Sequence, residues 1–220
     1  MKNFWVISDT HFSHANSWEK FKKKDGSPLR PFTSNEEMDE TMVERWNAVV
    51  KPQDHVYHLG DVAISKRGLE FVRRLNGHKR LIRGNHDIFR DSDYREVGFE
   101  QIHGVRVFVD KFILSHIPLH LNCVTERFRA CVHGHLHANR VTMPVYQKLQ
   151  AYDAHGLYQG TFNVECGQEI DPRYLCVSVE HTNFTPISFD EVDARIKKQW
   201  EDTGYEPPKG SGWGNGQGPG

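Results

Sequence analysis

Cysteine is scarce in this chain: four among 220 residues, at positions 123, 131, 166 and 176. No two have C-x-x-C spacing, which argues against a thiolate zinc site and leaves them as small core residues in a reduced setting. No apolar run is long enough to span a bilayer, and no basic stretch followed by a long apolar one opens the chain. Charge of one sign is also missing. With 28 Lys and Arg against 29 Asp and Glu, the formal net charge is −1, so no global basic field exists to hold a nucleic-acid backbone. The local run Lys20-Phe21-Lys22-Lys23-Lys24 is the exception and reads as a solvated face. No internal repeat is visible. These absences lead to the expectation of a cytoplasmic protein with one domain over 1–203. Within it, 138–173 lacks clear periodicity and reads as an insertion near the site, and a glycine-rich flexible tail follows over 204–220.

Short apolar runs recur along the chain and read as strands: Asn3–Ser8, His55–Leu59, Arg80–Ile82, Lys111–Leu114, Phe128–Val132 and Tyr174–Val179. Between the first three lie helical patterns. Ser34 with Glu37 forms a capping box ahead of Met38, Met42, Val43, Trp46, Val49 and Val50, and Lys51-Pro52 ends that helix. A second helix is expected over Ser65–Leu75, stopped by Asn76-Gly77, and a last one from Ser188 carries Val192, Ile196 and Trp200 at i, i+4, i+8. The stretch Gln101–Val109, broken at His103-Gly104, suggests a hairpin. The β-α-β-α-β order at the start is that of a sheet with covering helices.

Five of the strand-like runs lead into blocks rich in histidine and aspartate: Asp9-Thr10-His11, Gly60-Asp61, Gly84-Asn85-His86-Asp87, Ser115-His116 and Gly134-His135-Leu136-His137. Ligands delivered from several strand ends can converge on one place. If the extended backbone persists beyond the strand, Asp9 and His11 point to one side and reach one metal, as do His135 and His137. Asp61, alone after Gly60, suits a carboxylate bridging two ions. Asn85 and His86, being adjacent, point differently and can hold different roles. Imidazole and carboxylate donors without sulfur suit two divalent ions from among Mn, Zn, Fe, Ni and Co, with manganese preferred. Such a pair, about 3.5–4 Å apart, polarises a phosphoryl group and supplies a hydroxide for in-line attack.

These blocks resemble those of the calcineurin-like metallophosphoesterase superfamily, in particular its small bacterial and phage-type members. The likeness covers about residues 1 to 200 apart from 138–173, and extends to Asp9–His14 with Ala15-Asn16, Arg30-Pro31-Phe32, Val56–Val62 and Phe184–Ser188. It implies a four-layer α-β-β-α sandwich, two mixed sheets flanked by helices, with the site at strand ends. It implies that Asp9, His11 and His137 hold one metal and Asn85, His116 and His135 the other, with Asp61 between them. It also implies that His86 is the general acid, oriented by a hydrogen bond to Asp87, and that the reaction is hydrolysis of a small phosphoester or nucleotide, diesters before monoesters. A nuclease or a non-catalytic scaffold on the same fold are the alternatives; the complete ligand set speaks against the scaffold. Beyond the blocks, His14 is either a phosphate contact or a loop histidine held by backbone. Arg30 and Arg140 are candidate guanidinium clamps for phosphate. His58 is expected to support the site without ligating, and Phe12, Trp18 and Phe32 either stack a base or pack the loop.

Overall fold

The computed structural model describes residues 3–108, 111–124 and 128–207. In chain order the elements are β1 (Phe4–Ile7), α1 (Asn16–Glu19), α2 (Asn35–Val49), β2 (His55–His58), α3 (Lys66–Leu69), β3 (His78–Ile82), α4 (Asp91–Glu96), β4 (Phe99–His103), β5 (Val105–Val107), β6 (Phe112–Ser115), β7 (Ala130–His133), β8 (Thr142–Tyr152), β9 (Tyr158–Ile170), β10 (Tyr174–Cys176), β11 (Ile187–Ser188) and α5 (Phe189–Thr203). The C-terminal glycine-rich stretch from 208 onward and the expected strand end at Val109 lie outside the described residues.

One sheet has the order β11-β1-β2-β3-β4, with β1 to β4 parallel and β11 antiparallel to β1. The other has the order β10-β7-β6-β5, parallel except for β5. Period-two alternation divides the first sheet's side chains between two cores. Ile7, Val56 and Leu81 pack with Met38, Met42 and Trp46 of α2 and with Leu69 and Val72. Val6, Tyr57 and Ile82 face Phe112, Leu114, Val132 and Leu175 of the second sheet, joined by Val192 and Ile196 of α5. The result is the expected α/β architecture of two mixed sheets with helices. Strands buried on both faces explain why their sequences read as continuous apolar runs rather than alternating ones.

Caps hold the two long helices where the sequence places them. Ser34 Oγ accepts from Glu37 N at 3.0 Å and Ser188 Oγ from Glu191 N at 3.1 Å. The Glu37 carboxylate itself turns to Thr33, one residue before the cap. α5 stops at Gly204, whose φ of +65° suits glycine. The helix expected over 65–75 is α3 followed by a 3-10 turn, Glu70–Arg74. Gly104 does not turn a hairpin between the runs it separates: β4 joins the first sheet and β5 the second, and the hairpin of that region is β5 with β6.

Arg140–Asp171 forms a compact unit of its own. It is a hairpin in which β8 pairs antiparallel with β9 from Thr142↔Ile170 to Tyr152↔Tyr158. Its turn is fixed by Asp153, whose Oδ1 accepts from His155 N and Leu157 N. Pairing places Leu149, Phe162 and Val164 on one face and Tyr146, Tyr152 and Tyr158 on the other, all exposed. Apolar groups on both faces leave no alternation to read, which is why the sequence shows no periodicity there.

Candidate metal centre

Each histidine- and aspartate-bearing block sits just beyond the carboxyl end of a strand: after β1, β2 and β3 in the first sheet, after β6 and β7 in the second. Parallel strands end together, so these loops meet where ligands of open α/β sheets commonly bind. A bridge between Ser8 and Ser178 and the bond from Val179 N to Ser8 O tie the end of β1 to the segment after β10. Asp9, His11 and His137 place one ligand atom each within 4.8 Å of one another, and so do Asp61, His116 and His135. Asp61 Oδ2 lies 3.5 Å from His11 Nε2 and 3.4 Å from His116 Nε2, and so faces both groups. Its Oδ1 accepts from His86 N at 2.8 Å. Asn85 Oδ1 stands 2.9 Å from His116 Nε2 and 2.9 Å from His135 Nδ1.

The backbone that achieves this is not extended. Asp9, His11, Asp61, His135 and His137 all have φ between 46° and 69°. That left-handed region costs residues with a Cβ on the order of 1–2 kcal/mol each. Thus Asp9 and His11 share a cluster through left-handed turns and not through strand alternation, and His135 and His137, expected to reach one metal, fall into different clusters, which corrects the alternation-based reading.

Several contacts hold the strained loops. Asp9 N, His11 N and Phe12 N donate to the carbonyls of Gly60, Asp61 and Val62. The Asp9 carboxylate accepts from His135 N and Ser178 Oγ. Ser13, at φ +60°, is pinned from α2 by Asp39, which accepts from its N and Oγ. A Cβ on Gly84 would lie 2.5 Å from Asp61 N, and one on Gly134 2.0 Å from Ser8 Oγ, so only glycine lets these loops approach.

Arg30, fully buried, is not a phosphate clamp. Its guanidinium donates to the carbonyls of Asp9 and Thr10 and to Glu180 Oε1 at 2.8 Å, so it braces the first loop from behind. Asp87 likewise does not orient His86. Its two oxygens take hydrogen bonds from Asp61 N, Val62 N, Gly84 N and Tyr94 Oη, which locks the second block to the third. His58 accepts from Gly60 N at Nδ1, which leaves Nε2–H to donate to Thr10 Oγ1, a support between two loops. His14 stands with its ring 5.5 Å from that of His11, and exposed His86 with its ring edge-on 5.6 Å from the same imidazole. Arg140 opens the hairpin unit and is exposed; the cluster is complete without it. Phe12 stacks on Phe71 in the core and Phe32 packs on Phe184, while the Trp18 indole donates to Asn35, so all three serve packing.

Glu180 and Ser178 had no sequence signal. Glu180 Oε1 also lies 3.2 Å from His137 Nδ1, a carboxylate–histidine contact that fixes the imidazole and leaves Nε2 unengaged by it. Burial pushes Glu180 up, but the Arg30 charge and the His137 hydrogen bond overcome it and hold the carboxyl at about 2. Asp61 is also held at about 2: burial works against ionisation and the contact with His116 wins. Burial, with Arg30 behind it, pushes His11 well below the usual imidazole range, so it is neutral with a lone pair free.

The residues fit divalent cations. His11 is 3% exposed and neither ring nitrogen has a hydrogen-bond partner among the described residues, an arrangement costing about 1–3 kcal/mol per group without a ligand. His116 Nδ1 donates to Leu59 O at 2.7 Å, which turns Nε2 toward the oxygen of Asn85 and toward Asp61; burial lowers its proton affinity, but the Asp61 contact and the neighbouring charges raise it overall, so a proton or a cation at Nε2 is favoured there. The nitrogen and oxygen donors of both groups suit a borderline or hard divalent ion.

Two mixed sheets with aspartate and histidine side chains gathered at converging strand ends define an α/β protein with a candidate metal centre. The sequence model of the calcineurin-like phosphoesterases matches residues 2–159, and the chain belongs to that family. It is 33% identical over 205 residues to the uncharacterized protein MJ1445 of Methanocaldococcus jannaschii, covering 90% of this chain and 93% of the relative. It is 36% identical over 93 residues to the gene 66 protein of Mycobacterium phage L5, covering 40% and 41% of the two chains. Among solved structures, the protein of unknown function AQ665 from Aquifex aeolicus shares the fold, with a TM-score of 0.54 at 23% identity, over 88% of this chain and 99% of that one. Among the described residues no helix is long and apolar enough to cross a membrane.

Proposed function

We propose that this chain hydrolyses a small phosphoester or nucleotide at a dinuclear metal centre, with phosphodiesters preferred. The observation that carries the reading is Asp61 Oδ2, placed within 3.5 Å of one imidazole from each ligand group. Asp9, His11 and His137 would hold one ion and Asn85, His116 and His135 the other, with Asp61 placed to serve both. Two bound divalent ions supply Lewis acidity that polarises phosphoryl oxygens and acidifies water; manganese is the assay ion of choice.

The protein's own groups do the rest. Asp61 stays ionised, and His11 stays neutral, so both are in the form that ligates without first releasing a proton. Glu180 and Leu59 O fix the ring orientations of His137 and His116. His86, exposed on the solvent side and tethered through its N–H to Asp61, has an imidazole free to give a proton to the leaving oxygen as the phosphorus–oxygen ester bond breaks. Arg30 is committed to carbonyls and Glu180, so it does not neutralise the second charge of a monoester dianion; this favours the monoanionic diester.

The test compares Mn²⁺-loaded wild type and His86→Gln on bis(p-nitrophenyl) phosphate and p-nitrophenyl phosphate. Wild type is expected to turn over the diester faster, and the variant to lose about 10²–10⁴-fold in kcat at unchanged metal content. Wild-type turnover in the variant removes His86 from the reaction; no hydrolysis of either ester by the loaded wild type removes the function.

A further inference from the structure

The basic run that composition alone leaves as a solvated face lines a cavity of about 370 Å³. Its walls are Lys22, Lys23 and Lys24 with Leu29 on one side and Ala138 with Asn139 on the other. Both walls are extensions of the metal-site loops. Ala138 and Asn139 follow the ligand His137 directly, in a turn closed by Asn139 N donating to Leu136 O. The lysines ride on a short finger, Phe21 to Leu29, closed by bonds from Leu29 N to Phe21 O and Lys23 N to Ser27 O and by a Lys22–Pro28 bridge. The next residue is Arg30, anchored to Asp9 and Thr10, so the finger's base is fixed to the loop that carries two ligands.

From the cluster outward the contacts run in sequence. The ring of His14 lies 5.5 Å from that of His11, and the ring of Phe21 lies 5.8 Å from that of His14, at 87°. Phe21 is 44% exposed, unlike the buried or half-buried aromatics Phe12, Trp18 and Phe32. His14 Nδ1 has no hydrogen-bond partner among the described residues. The lysines that form ion pairs within 4 Å among the described residues are Lys66, Lys111 and Lys198; of the finger's lysines, Lys23 acts at longer range on the Asp25 carboxylate. Asp25, which also borders the cavity, turns its carboxylate onto Ser27 N and Oγ.

A cavity of this size accepts part of a small ligand. Three consecutive lysines against one carboxylate at this cavity select for phosphate, and the exposed ring of Phe21 on the same finger offers a face on which a base can stack. We infer that this cavity is a second phosphate subsite for a nucleotide substrate that carries a phosphate beyond the one being hydrolysed. The inference rests on the phosphoesterase reading and adds the substrate class: a nucleotide diester bearing at least one further phosphate.

The experiment uses the Mn²⁺-loaded full chain and three thymidine dinucleotides: one with only the internucleotide phosphate, and two with an added 5′ or 3′ phosphate. In wild type at low salt the added phosphate on one of the two ends raises kcat/KM at least tenfold, through KM. In the Lys22→Ala/Lys23→Ala/Lys24→Ala variant that ratio falls to within twofold of one, whereas Lys198→Ala on α5 retains it. The salt dependence of KM for the doubly phosphorylated substrate is weaker in the triple variant than in wild type, because screening then acts on fewer charges. Fluorescence anisotropy of the labelled substrates gives the same comparison without turnover, with at least tenfold weaker binding in the triple variant. A ratio near one in wild type, or an undiminished ratio or affinity in the triple variant, overturns the subsite. Hydrolysis of the singly phosphorylated dinucleotide by wild type in that event leaves the phosphoesterase function standing.

Discussion

Arg30 takes a full positive charge into the core and spends it on two carbonyls and one carboxylate. Its removal leaves Glu180 buried beside an unanswered cavity and frees the carbonyls of Asp9 and Thr10. Arg30→Ala is expected to lower unfolding free energy by about 3–5 kcal/mol in urea titration. An unfolding midpoint equal to wild type would show that the guanidinium does not brace the loop. Glu180 carries a pH signature of its own. Its folded value of about 2 lies below the ordinary 4.5, so the folded state binds fewer protons. That contribution is complete above the unfolded value and is lost as pH falls from about 4.5 to about 2, on the order of 3 kcal/mol in all. In the metal-free protein, the thermal midpoint of Glu180→Gln should decline less steeply than that of wild type across this window; parallel curves would contradict the assignment. Arg30 and Asp87 were visible as chemistry in the sequence but not as roles. An arginine near a phosphate site and an aspartate beside a histidine look the same whether they face substrate or backbone, and only burial decides. Glu180 was invisible because its partners lie 150 and 43 positions away.

Short elements frame the centre, and their ends do the positioning. Strand ends were legible to within a residue or two because β1, β2, β3, β6 and β7 are buried apolar runs broken by glycine or a polar block. Helices α2 and α5 were legible from serine caps and apolar spacing. Left-handed φ at five residues of the candidate centre was not, since nothing in Asp-Thr-His or His-Leu-His announces a backbone held by carbonyls of another loop. The hairpin β8–β9 escaped for a different reason, its apolar groups being exposed on both faces. As a unit with its own pairing, it should be removable. Asp171 N donates to Val141 O at 3.0 Å, so its ends meet and a short Gly-Ser linker can replace Arg140–Asp171. The shortened chain is expected to unfold cooperatively within about 5 °C of wild type, a shift corresponding to roughly 1 kcal/mol, and to keep its bound metal. Loss of cooperative unfolding would show that the hairpin is needed by the rest of the fold.

At the scale of the whole molecule, a nearly neutral chain belonging to the calcineurin-like phosphoesterases gathers its chemistry at one edge of two mixed sheets. Strain in the ligand loops is offset by a buried frame of Arg30, Asp39, Asp87 and Glu180, so the polar groups with least exposure to substrate set the geometry of those that meet it. The proposed function requires two ions, served in common by Asp61, to act together. Titration of metal-free protein with Mn²⁺, following bis(p-nitrophenyl) phosphate hydrolysis against bound metal per chain, tests it most directly. The shared-carboxylate arrangement predicts that activity rises until two ions are bound per chain and then stops; full activity at one bound ion, or no hydrolysis with two, would contradict it.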